Sequence, residues 1–443
     1  MKNFFLERCS CSLSIIKSNK NAIAGINILK LVILMFILLV QAGHSKATPS
    51  FARQTGMSCT ACHYSFPELT LFGRQFKLNA YTMTMMNTIE SKQDSDKVTR
   101  LKLLSYLPLS AMVQTSFTSN AKANEGTQNN SIAFPQQISM FYAGQITPHI
   151  GSFIQMTYDG KVFGMDNAEI RYANQTSLGN TSLLYGVTLN NNPTVQDVWN
   201  TTPAWGFPTA SSDAANTPAK STLIENLGMQ VAGLGAYALL ANFLYGEITF
   251  YRSSPQGAAN PADSTSRMTI KGLAPYWRAA LQHAWGNSYV EIGTFGITSN
   301  NYLSGISGAT DQFTDLGFDL QVEHTINAGA LVLHSSMIRE TEKRNSTLAN
   351  YHFNSFKMDG NFYLKNGLGA TVGYFNSSGT RDAINVESAT NKPDSNGFIY
   401  QIEYLPWYNT KFSIQYVTYS KFNGSSQSAA DNNTLYLLAW FNF

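Results

Sequence analysis

The sequence predicts an all-β protein: an antiparallel transmembrane β-barrel of about sixteen strands, porin-like, behind a short N-terminal helical segment. Three observations carry the prediction. Apolar and polar residues alternate in segment after segment beyond residue 100, short turns and long polar links alternate between those segments, and only 13% of the 443 residues are charged while 12% are aromatic. A soluble protein carries about 25% charged residues, whereas a membrane barrel needs few charges and many interfacial rings. The formal net charge of +3, with no basic cluster, argues against nucleic acid as a partner.

In chain order, Lys2, Arg8, Lys17, Lys20 and Lys30 precede the apolar run Leu31–Val40 and the exit Ser45-Lys46-Ala47. Residues 1–47 read as a signal peptide cleaved after Ala47, with a retained anchor as the alternative, because the run falls short of the about 20 residues that span a bilayer. No later stretch resembles a transmembrane helix. The rest of the chain can therefore enter a membrane only as a closed barrel, since open strands leave backbone groups unpaired in lipid.

Residues 48–100 form the next expected unit. In it Cys59, Thr60, Ala61, Cys62 and His63 spell CxxCH, in which two thioethers tether a haem and the adjacent histidine reaches the iron, so the unit reads as a monohaem c-type cytochrome segment with its linker. The other cysteines, Cys9 and Cys11, fall in the leader. No second CxxC pair completes a zinc site, no βαβ context suits a redox CxxC, and a local disulfide is the plainer alternative. The expectation is one covalently bound haem c, held by Cys59 and Cys62 with His63 as axial ligand. The sixth ligand stays open among Met57, Met83, Met85 and Met86, a water, and the barrel histidines His149, His283, His324, His334 and His352. Parity puts His283 and His324 on an apolar strand face. Arg53, Arg74 and Lys77 are candidates for haem propionates, or else solvated cations. Ser65 and Pro67 suit a helix start, with Leu69, Phe72 and Phe76 on one side. Some fifty residues are close to the lower limit for folding alone, so the segment is expected inside or against the periplasmic mouth of the barrel. Glu90–Arg100 reads as a linker.

Residues 101–443 supply the barrel. Asp315, Gly317, Asp319, Gln321 and Glu323 alternate with Leu316, Phe318, Leu320 and Val322, and the same period recurs around residues 356–362, 398–404 and 412–416. Strands are expected near 105–118, 136–147, 150–159, 164–174, 180–190, 227–236, 240–252, 272–284, 287–297, 313–325, 329–340, 351–364, 367–376, 397–405, 410–421 and 434–443. Links such as Gly286-Asn287 and Asn327-Ala328-Gly329 are tight, whereas 119–135, 191–226 and 377–396 are long and rich in Asn, Ser, Gly and Thr. That asymmetry matches periplasmic turns and extracellular loops, with 160–163 the one short link on the loop side. Glu169, Arg171, Glu247, Glu291, Asp319, Glu323, Asp359 and Glu403 fall on the lumen phase. The last strand ends on Phe443, as a terminal outer-membrane strand does.

Phe51-Ala52-Arg53-Gln54-Thr55-Gly56-Met57, the CTACH motif, Phe66-Pro67-Glu68-Leu69 and Phe72-Gly73-Arg74-Gln75-Phe76-Lys77 resemble the outer-membrane monohaem cytochrome-porin fusions of iron-oxidising bacteria. Asn192–Asn200 and Pro203–Pro208 resemble that family's long external loop. The resemblance implies oxidation of extracellular Fe(II), or another reduced donor, with electrons passed through the haem to periplasmic carriers. Cys59, Cys62 and His63 match the haem motif, and no distal ligand or iron site comes with it. Two other functions fit the same features: a diffusion porin with a structural haem-binding plug, and a haem-based sensor or peroxidase.

Overall fold

The computed structural model describes residues 49–83, 107–253 and 269–443, apart from 304, 346, 385 and 387. The chain divides into two compact units, 1–47 and 48–443, and every described residue belongs to the second. The expected signal segment, the Glu90–Arg100 linker, Met85 and Met86 lie outside the described residues.

The N-terminal segment runs through helix α1 (Ser50–Thr55), the one-turn helix α2 (Cys59–Cys62), strands β1 (His63–Ser65) and β2 (Glu68–Leu69), and helix α3 (Leu71–Leu78). Gly56 ends α1 at φ 69, where its N–H closes on the Ala52 carbonyl. The expected helix start at Ser65 and Pro67 is displaced to Thr70, and those residues instead belong to the β1–β2 hairpin. Thr70 wins because its hydroxyl accepts the Gly73 N–H at 3.2 Å, satisfying a donor of the first turn.

Sixteen strands close into one antiparallel barrel. The first eight are β3 (Leu109–Asn120), β4 (Ser131–Thr147), β5 (Ile150–Tyr158), β6 (Phe163–Leu178), β7 (Thr181–Asn190), β8 (Val231–Leu240), β9 (Leu244–Ser253) and β10 (Ala274–Trp285). The rest are β11 (Ser288–Tyr302), β12 (Thr310–Ile326), β13 (Gly329–Arg344), β14 (Ala349–Leu364), β15 (Leu368–Gly379), β16 (Ser395–Trp407), β17 (Thr410–Lys421) and β18 (Thr434–Asn442). Closure joins β18 to β3, with Asn442 opposite Met112 and Thr434 opposite Asn120. The short link between β5 and β6 is a turn in which Asp159 Oδ1 accepts the N–H groups of Lys161 and Val162, both at 2.8 Å.

Burial is inverted relative to a soluble protein. On β12, Phe318 is 54% exposed while its neighbour Asp319 is 4% exposed, and Leu316 and Val322 face outward as Asp315 and Glu323 face inward. Only a lipid-facing wall makes that arrangement favourable. Among the described residues no helix is long and apolar enough to cross a membrane; the strands do so. The eight charged side chains expected on the lumen phase are all buried there, and His283 and His324 face outward.

Barrels of this strand number can leave a water-filled channel. Here two chain segments occupy it. The N-terminal segment enters from the short-turn, periplasmic rim, and the link between β7 and β8 folds inward from the opposite rim. That link was expected to be an external loop, but Val195, Val198, Trp199, Leu223, Ile224 and Leu227 have no apolar surface outside and are buried within. Lumen polar groups fasten it: Glu340 accepts from Thr222 and Leu223, Asp315 from the Ile224 N–H at 3.0 Å, and Asp319 from Thr201. This inward turn delays β8, expected at 227–236, to Val231. The β8–β9 turn then falls at Ala241 and Asn242, at φ 55 and 53.

Candidate cofactor site

The CTAC turn is held by α3. Thr70 donates its hydroxyl to the Ala61 carbonyl at 2.6 Å and its N–H to the Cys62 carbonyl at 2.9 Å. At Gly73 the helix touches the same Cys62 carbonyl so closely that any Cβ there would collide with it. Cys59 and Cys62 are half-buried and not bonded to each other. Burial pushes the Cys62 thiol up to about 12 and raises Cys59 as well, so both are protonated thiols at pH 7.

His63 follows directly, with its ring 5.4 Å from that of Phe66. Burial lowers its pKa to about 4, leaving the imidazole neutral at pH 7. The neutral ring donates from Nδ1 to the Pro67 carbonyl at 3.2 Å. That tautomer leaves the lone pair of Nε2 for a metal, and the carbonyl bond fixes the ring plane, as second-shell partners of ligating histidines do.

The barrel wall grips the segment through charges. Arg74 is paired with Glu323 of β12, with Nη2 to Oε2 at 3.0 Å, and its guanidinium stacks 4.2 Å from the Tyr289 ring. Tyr64 donates to the same carboxylate at 3.2 Å, and Lys411 of β17 donates to the Phe66 carbonyl at 2.8 Å. Lys77 donates to the carbonyls of Val195 and Asp197 at 2.6 and 2.7 Å, tying the segment to the inward loop, and burial lowers its pKa to about 7. Glu68 is buried beside His334 and Asp359 and accepts from Tyr363; burial raises it to about 7, against the pull of His334.

Between the segment and the wall lies a cavity of about 350 Å³. The segment contributes Phe51, Cys62, His63, Phe66, Phe76 and Lys77; the barrel contributes Met112, Phe141, Phe153 and Trp440; the loop contributes Trp205. A flat, largely apolar macrocycle tethered at Cys59 and Cys62 fits these walls, which present the Cys62 thiol, one oriented neutral imidazole and a ring of aromatic surface, with the free Cys59 thiol on the same helical turn. Lys77 lines the cavity and is available to an anionic edge. Arg74 is committed to Glu323, and Arg53 donates to the carbonyls of Leu107 and Leu109. Met57 is exposed, while Met83 packs with Phe76 and Tyr81 and is absent from the cavity wall. Among the barrel histidines His334 is buried, and His149, within hydrogen-bond reach of the Ala173 carbonyl at 3.1 Å, sits at a periplasmic turn. Among the described residues no group of three or more His, Cys, Asp or Glu side chains is arranged to hold a bare metal ion.

Met112 and Trp440 were missed from the sequence. A signal existed for Met112: it shares its phase on β3 with Gln114, Ser116 and Thr118, so it is a large apolar residue on a polar face.

Fold and site together define a class, an outer-membrane β-barrel whose lumen holds a small N-terminal segment with a cavity at its CxxCH turn. No family model matches the chain, and no curated protein does. Solved structures similar to it include OmpF of Salmonella typhi in complex with daunomycin, at 13% identity and TM-score 0.46 over 76% of this chain and 97% of that one. The outer membrane channel DcaP of Acinetobacter baumannii matches at 12% and 0.46 over 76% and 96%, and OmpT of Vibrio cholerae at 10% and 0.40 over 77% and 99%.

Proposed function

We propose that this protein is an outer-membrane c-type cytochrome, a member of the cytochrome-porin fusions its N-terminal run resembles. In it Cys59 and Cys62 bear one haem c, His63 ligates the iron, and electrons pass from an extracellular reduced metal, Fe(II), to a periplasmic carrier. The supporting observation is the neutral His63, its Nδ1 engaged by Pro67, on the wall of an apolar cavity enclosed by the barrel. Bound there, haem supplies a one-electron couple inside a wall that lipid makes impassable to ions. Each turnover oxidises one Fe(II) to Fe(III) and reduces the carrier by one electron.

The chain's own residues set the conditions. Phe51, Phe66, Phe76, Phe141 and Phe153 give the cavity a mainly apolar lining, which favours the reduced, less charged state of a buried centre. A second cavity, of about 230 Å³, lies in the external half of the lumen, lined by Lys357, Glu225 and Ser336 among others. Asn200 borders both cavities, so one thickness of the inward loop separates a donor in the outer one from the site.

The test is a haem stain of the purified protein on a denaturing gel. Wild type should keep its stain through denaturation, and the double variant Cys59→Ala/Cys62→Ala should lose it. An unstained wild type made alongside a working maturation system overturns the proposal.

A further inference from the structure

We propose that Met112, on the barrel wall, is the second axial ligand of the iron that His63 holds; this rests on the haem reading above. The case is one of elimination among the groups that line the cavity. Lys77 donates two of its N–H groups to loop carbonyls, and as an ammonium it has no lone pair to offer iron. Tyr81 donates to Glu169 at 2.7 Å. Asp166 accepts from the Thr157 hydroxyl at 3.0 Å and the Asn167 N–H at 2.8 Å. Asp197 accepts from the N–H groups of Trp199, Thr201 and Thr202 and from the Thr202 hydroxyl. The last three are already engaged, and none of the four is a soft donor of the kind a thioether is.

Met112 is different. It is 3% exposed, and its Sδ accepts one weak bond, from Gln114 Nε2 at 3.6 Å. A thioether sulfur carries a second lone pair, and the amide contact fixes the rotamer that presents it. Phe66, whose ring lies 5.4 Å from that of His63, also packs against the cluster containing Met112 and Trp440. The two ligands therefore come from opposite parties to the docking, His63 from the lodged segment and Met112 from β3. The bond would clip one to the other, and a methionine ligand raises the reduction potential above that of a histidine pair.

The experiment uses the full-length haem-loaded protein in detergent, as wild type, Met112→Ala and Met112→His, with a heat-modifiable gel shift to report barrel folding. Ferric wild type should show the near-infrared sulfur-to-iron charge-transfer band, and its ferrous form should resist carbon monoxide. Both variants should lose the band; Met112→Ala should bind carbon monoxide at least tenfold more readily, and Met112→His should stay closed to it. A coloured wild type without the band, or a band that survives in Met112→Ala, overturns this proposal alone. A colourless wild type removes the haem reading and this proposal with it.

Discussion

Replacing Arg74 by methionine should loosen the N-terminal segment from the lumen. The guanidinium makes a two-point contact with Glu323, bonds the Leu69 carbonyl at 3.0 Å and covers the Tyr289 ring, with both charged side chains at most 5% exposed. Removing one partner of such a buried pair strands the other charge and costs about 3–5 kcal/mol. At about 1.36 kcal/mol per tenfold, the undocked population rises about 10²- to 10⁴-fold. Glu323 also accepts from Gln321 at 2.8 Å and from Tyr64, which softens the loss and favours the lower figure. Amide exchange of α3, followed by mass spectrometry on the intact protein, reads this directly, while the β12 and β13 amides serve as an internal control. The double variant Arg74→Met/Glu323→Leu should recover most of the protection, because no orphan carboxylate remains. Exchange within threefold of wild type in the single variant, or equal losses in the single and double variants, would refute the reasoning.

Three further outcomes follow from the same contacts. Gly73→Ala forces α3 off the CTAC turn, an overpacking cost of about 1–3 kcal/mol, so thermolysin should cut within residues 59–78 about tenfold faster or more. Glu68, raised from 4.5 to about 7 by burial, binds its proton more tightly when docked; its contribution is full below about pH 4.5 and is lost as pH rises through 7. The stability difference between wild type and Glu68→Gln should therefore shift by up to about 3 kcal/mol across that window, read as exchange protection of β1 and β2. His63, lowered by burial, changes in the opposite sense between pH 6.5 and 4, and it cancels in that difference. Finally, replacing residues 194–226 by a short Gly-Ser link should raise single-channel conductance well above wild type, and a large steady wild-type conductance would contradict an occupied lumen.

Much of the architecture was legible because strand parity is a local property. The run Asp315–Glu323 declared its two faces outright, and each of the sixteen strands lies where alternation placed it to within a few residues. β8 moved as a whole, and its shift came from the turn at Leu223–Leu227, whose burial depends on Asp315 and Glu340, roughly a hundred residues away. Local pattern has no access to that. The helix start moved for a similar reason: Ser65 and Pro67 satisfy helix statistics, but Thr70 alone can bond Ala61 and cap Gly73 at once. The CxxCH motif announced itself, whereas the wall facing it, with Met112, Trp205 and Trp440, comes from three distant stretches that only barrel closure brings together.

The most direct measurement of the central claim is the absorbance of intact, non-permeabilised cells on addition of Fe(II). The account predicts that the bands of ferrous haem c appear in cells making the wild type and are missing in cells making Cys59→Ala/Cys62→Ala. Wild-type cells whose haem c stays oxidised with Fe(II), yet is reduced at once by dithionite, would contradict it.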